Sequence, residues 1–246
     1  MSKLLLIGIG PYPTEKGAAA TGPNIRVRFF AEPLLKADHE LHLVMLEARI
    51  REDVAVQGFE SACALSPREM LEPWKILKAL KTPAIDAIMG IGSLMPLAAA
   101  ARLAKHLDKP CWIDFNGDPL AEYHAGISRQ GVKPDLVLRD HLWKFVREGL
   151  LAGDRFSSCS DRQRYAILGQ LNLLGRLTEG REPHLRVHTV PNGVPNMWVD
   201  PETPDPDYPV ILDELGVAED ARIIYVGGSW TPWMDERLMG DALGQV

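Results

Sequence analysis

The strongest constraint on the fold is the alternation, along 246 residues, of short apolar runs with longer segments of helical periodicity. Parallel strands buried on both faces of a sheet are continuously apolar, and the runs LLLIGIG at 4–10 and AIMGIG at 87–92 have that character. Such alternation is typical of βαβ units. It predicts a Rossmann-like, doubly wound α/β domain with a mostly parallel sheet and helices on both of its faces.

The same pattern gives the individual elements. Apolar, β-branched runs predict strands, and segments of period 3.6 with capping residues predict helices. The predicted strands are 4–8, 41–46, 62–65, 87–91, 111–115, 155–160 and 186–190. The predicted helices are 25–36, 74–80, 95–106, 135–151 and 161–177.

The predicted domain organisation depends on a Pro-rich, acidic stretch, PETPDPDYP at 201–209. Proline cannot enter a central strand or a helix interior, so this stretch predicts a linker or a long surface loop. We expect a Rossmann-like domain over 1–200, a linker over 201–220, and the first strand, turn and helix of a second domain over 221–246. One strand and one helix cannot bury the run ARIIYVGG alone, so it must pack on the first domain, pair with another molecule or belong to a domain that is truncated here. We expect the last of these.

Composition and charge exclude several classes of protein. The net charge is −6 with acidic and basic residues interspersed, which predicts no nucleic-acid partner. Three widely separated Cys predict neither a disulfide framework nor a Cys-based zinc site. No run approaches the roughly 18 apolar residues of a membrane span. We expect a cytoplasmic protein and leave open a peripheral contact with the inner face of the membrane.

The first loop begins like a dinucleotide-binding turn but departs from that motif. Gly8 and Gly10 start the pattern G-x-G-x-x-G, whose third position is Pro13. The better interpretation is a small-residue loop at 17–21 that lines a cleft, with Arg26 or Arg28 on the first turns of the following helix. The alternative is a purely structural crossover.

A polar cluster, IDFNGDPLAEYH at 113–124, directly follows a predicted buried strand. It holds Asp114, Asn116, Asp118 and Glu122, and ligands bind at the carboxyl ends of strands in sheets of this class. Pro119 and Ala125 stand where a calcium loop needs Gly and Glu, so that reading fails. The cluster predicts a general base for a hydroxyl, with Asp118, Asp114 and His124 as candidates and Asn116 orienting the acceptor; ordinary turn chemistry is the alternative. His124 is a candidate because it lies near these carboxylates.

Two later segments complete the motif set. VPNGVP at 190–195 is a strand followed by an Asn-Gly turn, and VGGSWTPW at 226–233 places Gly227, Gly228 and Ser229 after a strand. Glycines at such a turn let a backbone approach a phosphate, and a helix N-terminus adds partial positive charge. A plain β–α turn is the alternative.

In order and spacing, these segments resemble the family 4 (group 1) glycosyltransferases of the GT-B type. The glycine loop, the Arg-bearing helix and the stretch ADHELHLV at 37–44 resemble the family's N-terminal part, with Asp38 where Gly is usual. FSSCS at 156–160, VPNGV at 190–194 and IYVGG at 224–228 are similar to its later motifs. The resemblance spans nearly the whole chain.

The resemblance implies a nucleotide-sugar co-substrate and a glycan or lipid-linked acceptor, with neither metal nor other cofactor. It places Gly17 and Arg26 on the acceptor side, and Gly227, Gly228 and Ser229 on the donor side. The family's catalytic His motif has no clear match, and the stretch 114–118 occupies roughly its region. Its donor-domain E-x7-E segment would lie beyond Val246, so we expect this chain alone to be inactive as a transferase.

Two other functions remain open from the sequence. A truncated, non-catalytic module of the same fold would bind a glycan or a partner chain through the same cleft. A nucleotide-dependent oxidoreductase or epimerase is disfavoured by the failed glycine motif.

Overall fold

The computed structural model describes residues 1–10, 12, 21–46, 58–81, 84–131, 133–177 and 186–193, with single residues at 214, 216, 240, 241 and 244. The chain divides into two units, Met1–Asn192 and Gly193–Val246. All the strands and helices given below lie in the first unit. Apart from those single residues, the predicted linker at 201–220 and the strand-turn-helix at 221–246 lie outside the described residues, so the predicted domain organisation stays a prediction.

The first unit is built on one seven-stranded sheet in the order β3-β2-β1-β4-β5-β6-β7. Every neighbouring pair of strands is parallel. The chain therefore runs outward from β1 in one direction and then, from β4, in the other, which is the doubly wound arrangement. The strands are β1 (Lys3–Ile9), β2 (Glu40–Leu46), β3 (Ser61–Leu65), β4 (Ala87–Gly92), β5 (Cys111–Phe115), β6 (Arg155–Ser158) and β7 (Val187–Thr189).

Helices cover both faces of this sheet. On one face, Val27 and Ala31 of α1 pack with Leu6 and Leu43. On the other face, Leu5 joins a larger core contributed by α3, α4, α6 and α7. The helices are α1 (Gly22–Lys36), α2 (Pro67–Met70), α3 (Pro73–Leu80), α4 (Met95–Leu107), α5 (Pro119–Gln130), α6 (Leu136–Ala152) and α7 (Asp161–Leu173).

The predicted fold class is confirmed, and all seven predicted strands are present. Two helices escaped the sequence prediction, the short α2 and the twelve-residue α5. In α5, Asp118 is the N-cap, Pro119 is the first helical residue, and the Asp118 carboxylate accepts hydrogen bonds from the amides of Leu120 and Ala121. The Asp118-Pro119 step, for which ordinary turn chemistry was the alternative, is therefore the start of a helix at the carboxyl edge of the sheet.

The turn between α1 and β2 explains one departure from the resemblance. Asp38 has φ of 57°, in the left-handed region that favours glycine. Asp and Asn enter this region more readily than other side chains. Asp38 therefore occupies, at some conformational cost, a position where the resembling family has Gly.

Among the described residues, no helix is both long enough and apolar enough to span a lipid bilayer.

Candidate functional site

Polar residues that follow three strands meet the start of α1 at the carboxyl edge of β5, β6 and β7. Asn116 follows β5, Cys159 follows β6, and Asn192 lies shortly after β7. The first turn of α1 reaches the same place, because a Cβ built on Gly22 would lie 3.8 Å from Asn116 Nδ2. We call Gly22, Asn116, Cys159 and Asn192 the polar rim. It lies where α/β sheets bind ligands.

Beneath the polar rim lies a buried ion pair between Arg26 of α1 and Asp114 of β5. Arg26 Nε donates to Asp114 Oδ2 at 3.0 Å, and Arg26 Nη2 donates to Oδ1 at 2.8 Å. Both side chains have 0% exposure. This is the two-bond, planar geometry that a guanidinium offers to a carboxylate and a lysine cannot.

The third guanidinium nitrogen of Arg26 holds the chain after β7. Its Nη1 donates to the carbonyl oxygens of Val190 and Pro191 at 2.6 and 3.1 Å, and to Asn192 Oδ1 at 3.2 Å. The guanidinium carbon also lies 5.1 Å from the ring centre of Phe30, one turn along α1. Arg26 thus connects α1, β5 and the exit from β7.

Asp114 is held from the other side by β6. Ser157, its direct partner in the sheet, donates from Oγ to Asp114 Oδ1 at 2.5 Å and accepts from Trp112 Nε1 at 2.9 Å. No buried side-chain nitrogen or oxygen of the described residues lacks a hydrogen-bond partner. Burial alone would lower the Arg26 pKa, but the hydrogen bonds and charge of Asp114 outweigh it and raise that pKa.

This burial changes the interpretation of two residues selected from the sequence. Asp114 was predicted to be catalytic and Arg26 to contact the acceptor, yet both side chains are closed off from solvent. A general base must lie within hydrogen-bond reach of the proton it removes, and both Asp114 oxygens face Arg26, one of them also Ser157. The structure therefore gives Asp114 and Arg26 a positioning role beneath the polar rim.

The rim itself contains a thiol between two amides. Cys159 Sγ donates to Asn116 Oδ1 at 3.3 Å and to Asn192 Oδ1 at 3.5 Å, alternative acceptors for its one proton. Burial raises the pKa of Cys159, and the nearby Arg26 charge opposes that rise. Asn116, predicted to orient an acceptor, is partly exposed and points its amide nitrogen towards Gly22.

A carboxylate of the cluster at 113–124 that was not among the predicted bases lies beside this rim. Glu122, on the first turn of α5, folds back over Gly117, since a Cβ built on Gly117 would collide with Glu122 Oε1. Burial raises the pKa of Glu122, and the negative charge of Asp118 raises it further. Its charge also raises the pKa of Cys159. Recognising the Asp-Pro step as a helix start would have placed Glu122 here.

The other selected residues are placed less centrally or lie outside the described residues. Asp118 caps α5 through one carboxylate oxygen. His124 is exposed and packs edge-on against Tyr123. Two residues beyond Glu122 is about 200° round a helix, so His124 projects from the opposite side of α5. The predicted acceptor residue Gly17 and the predicted donor residues Gly227, Gly228 and Ser229 lie outside the described residues.

Chemically, this edge offers amide groups that can donate to and accept from a hydroxyl, together with one partly buried carboxyl. Within the part of the chain that the structure describes, no group of three or more His, Cys, Asp or Glu side chains is arranged to hold a metal ion. The arrangement suits recognition of a hydroxyl-bearing ligand and removal of its proton.

No protein-family model matches this sequence, and a search of curated proteins finds no match. Solved structures do match. Arabidopsis thaliana UGT89C1 in complex with UDP superposes with a TM-score of 0.51 at 13% identity, over 98% of this chain and 63% of that one. Phytolacca americana UGT2 matches without ligand at TM-score 0.45 and 12% identity, over 87% of this chain and 54% of that one. Its complex with UDP-2fluoro-glucose and pterostilbene matches at a TM-score of 0.44 and 10% identity, over 78% of this chain and 54% of that one.

The chain spans 54–63% of the length of these structures. At such low identity the likeness shows the fold alone. The conclusion rests on UGT89C1, whose TM-score is 0.51. This likeness extends to the fold and does not favour family 4. The first unit has the Rossmann-like α/β fold found in such structures.

Proposed function

We propose that this chain is the acceptor-side part of a GT-B glycosyltransferase, which transfers a sugar from a nucleotide-sugar to a hydroxyl of a glycan or lipid-linked acceptor. Two independent lines support the proposal. The first is the fold, shared with a UDP-glycosyltransferase over 98% of this chain. The second is the position of the polar rim, at the sheet edge where such folds bind ligands. The assignment to family 4 rests on the sequence resemblance.

The observation that carries the proposed chemistry is Glu122 beside the polar rim. Its raised pKa suits a group that takes a proton from a sugar or lipid hydroxyl, because a base works best when its pKa approaches the working pH. In this proposal Asn116 and Asn192 orient the hydroxyl, and Glu122 replaces Asp114, Asp118 and His124 as the base. Arg26 and Asp114 hold these groups in place without touching the acceptor.

The donor half of the reaction depends on residues outside the described part of the chain. Gly227, Gly228 and Ser229 remain the proposed contacts for the nucleotide-sugar. Stabilisation of the leaving diphosphate is the larger electrostatic contribution in such a transfer. We therefore propose that residues 1–246 bind an acceptor and do not transfer sugar by themselves.

Acceptor binding can be tested by NMR on the intact chain. The probes are n-octyl β-D-glucoside and a set of neutral oligosaccharides, and the signals are the side-chain amides of Asn116 and Asn192. We expect one of these probes to shift both signals in the wild type and Glu122→Gln, because that substitution keeps the shape of the rim. Asn116→Ala should weaken binding, whereas Lys105→Ala, at the far end of α4, should leave binding unchanged.

Two outcomes would contradict this proposal. If none of the probes shifts the rim amides, the rim is not an acceptor site. If NAD⁺ shifts them instead, the oxidoreductase interpretation takes precedence. The non-catalytic module is separated by a transfer assay on a protein that carries both complete domains: the enzyme should lose transfer in Glu122→Gln while still binding acceptor, whereas a module transfers nothing.

A further inference from the structure

The first unit ends at Asn192, and its last three residues all bind the same side chain. The carbonyls of Val190 and Pro191 and the side-chain oxygen of Asn192 accept from Arg26 Nη1. Among the described residues, the last backbone bond from this segment to the sheet is Val190 N–H to Ser158 O, at 2.8 Å. Beyond that bond, the described contacts that hold the exit are side-chain contacts, those of Arg26 and Cys159.

The strand before this exit is a weak anchor on its own. β7 has three residues, and among the described strands it is the last in the sheet order and pairs with β6 alone. An edge strand of this length contributes few ladder hydrogen bonds, and short, exposed strand ends open first in native proteins. The position of the exit segment must therefore depend on something other than β7.

Arg26 can hold the exit segment in place because its own side chain is held in one conformation. Its Nε and Nη2 are held by Asp114, and Asp114 is held by Ser157. The remaining Nη1 therefore projects from a fixed frame towards the exit segment. Hydrogen bonds from a charged donor are worth roughly twice those between neutral groups.

We propose that Arg26 is a positioning residue that fixes the point where the chain leaves the first unit, and with it the Asn192 side chain on the polar rim. This role concerns the position of the exit segment and the orientation of the Asn192 side chain. It is therefore independent of the ligand that the rim binds and does not rest on the proposed function.

The test is amide hydrogen exchange in Arg26→Lys. Lysine keeps the positive charge and can still reach Asp114, but it lacks the planar fork needed to hold the exit carbonyls at the same time. We expect exchange of the Val190 amide to rise roughly tenfold or more relative to the Leu6 amide in the central strand β1, because hydrogen bonds to charged groups are the stronger ones. The control is Arg102→Lys, which alters an Arg–Glu pair far from the exit.

A second measurement uses the thiols of the same proteins. Cys159 contacts Asn192, whereas Cys63 lies on β3 at the other end of the sheet. Maleimide labelling of Cys159 should accelerate severalfold in Arg26→Lys while that of Cys63 does not change. Because lysine retains the positive charge near the thiol, faster labelling reports opening of the exit segment and not the loss of that charge.

Equal acceleration of exchange at Val190 and Leu6, or no acceleration at either, would overturn the proposal. If Arg26→Lys does not fold, Ser157→Ala decides the question, since it keeps both charges of the buried pair and removes one hydrogen bond from the frame around Arg26. Selective exchange at Val190 in that variant supports the proposal, and an unchanged ratio of Val190 to Leu6 exchange overturns it.

Discussion

Two Arg–carboxylate pairs in this domain have nearly the same geometry and very different surroundings. Arg26 donates twice to Asp114 at 3.0 and 2.8 Å, and Arg102 donates twice to Glu148 at 2.7 and 3.0 Å. Both side chains of the first pair are 0% exposed, whereas Arg102 is 34% exposed and Glu148 25%. Distance alone would therefore rank the two pairs as equals.

The difference in burial reverses that ranking. Removing one member of a buried pair leaves an uncompensated charge in a low-dielectric interior, which is strongly destabilising. The half-buried Arg102–Glu148 pair is more strongly screened by solvent, so its loss costs less. The comparison is consistent with the proposed positioning role of Arg26–Asp114, because a buried pair is a poor source of net stability against apolar residues of the same volume.

The largest expected effect tests this comparison directly. Arg26→Met should lower the free energy of unfolding by about 3–5 kcal/mol, because it strands Asp114 in the interior. Arg102→Met, its matched control, should lower it by no more than about 1 kcal/mol. Urea unfolding followed by circular dichroism measures both.

The comparison is sharpened by a double variant. Arg26→Met combined with Asp114→Leu removes both charges, so it should be less destabilised than Arg26→Met alone. Similar losses in Arg26→Met and Arg102→Met would show that burial does not distinguish the pairs, and the positioning role would lose its energetic basis.

The next effect separates two neighbouring buried serines. Ser157 donates to the charged Asp114, whereas Ser158 donates to the neutral carbonyl of Ser160 at 3.1 Å. Ser157→Ala should cost about 1.5–3 kcal/mol and Ser158→Ala about 0.5–1.5 kcal/mol, because hydrogen bonds to charged groups are the stronger ones. Thermal unfolding of the two variants is the measurement. Equal losses would mean that the Trp112–Ser157–Asp114–Arg26 chain adds nothing beyond ordinary hydrogen bonds.

The sheet could be predicted from the sequence because its signal is local. Runs such as LLLIGIG are continuously apolar, so each strand can be recognised without knowing its neighbours. The end of α1 was also placed correctly, at Lys36. Whether a segment forms a strand or a helix is largely decided by the few residues within it. The apolar runs and helix ends of this chain follow the usual sequence patterns closely.

The candidate site was harder to predict, for two different physical reasons. The start of α5 was misread because Asp-Pro serves both turns and helix N-termini, and only the residues that follow decide between them. The Arg26–Asp114 pair joins residues 88 positions apart, and no local pattern reports such a partner. Arg26 and Asp114 are predicted from the sequence to contact or react with a ligand, and in the fold they bind each other.

Glu122 extends the comparison to a carboxyl whose charged neighbour is an acid. Burial and then the Asp118 charge raise its pKa above the ordinary 4.5. The folded state consequently binds more protons than the unfolded chain between pH 4.5 and the raised value, so stability falls as pH rises through that window. Glu122→Gln removes this loss, and the variant should be the more stable protein at pH 7.

This effect should be the smallest of the three, because Glu122 is only partly buried, and it should vanish below about pH 4.5, where Glu122 is protonated in both states. Thermal unfolding across pH 3–8 measures it. In an Asp118→Asn background the gain should shrink, since the like charge is gone while Asn still caps α5. A gain that persists unchanged at pH 3 would mean that Glu122 is unfavourable for its shape and not for its charge, and it would then lose its place as the proposed base.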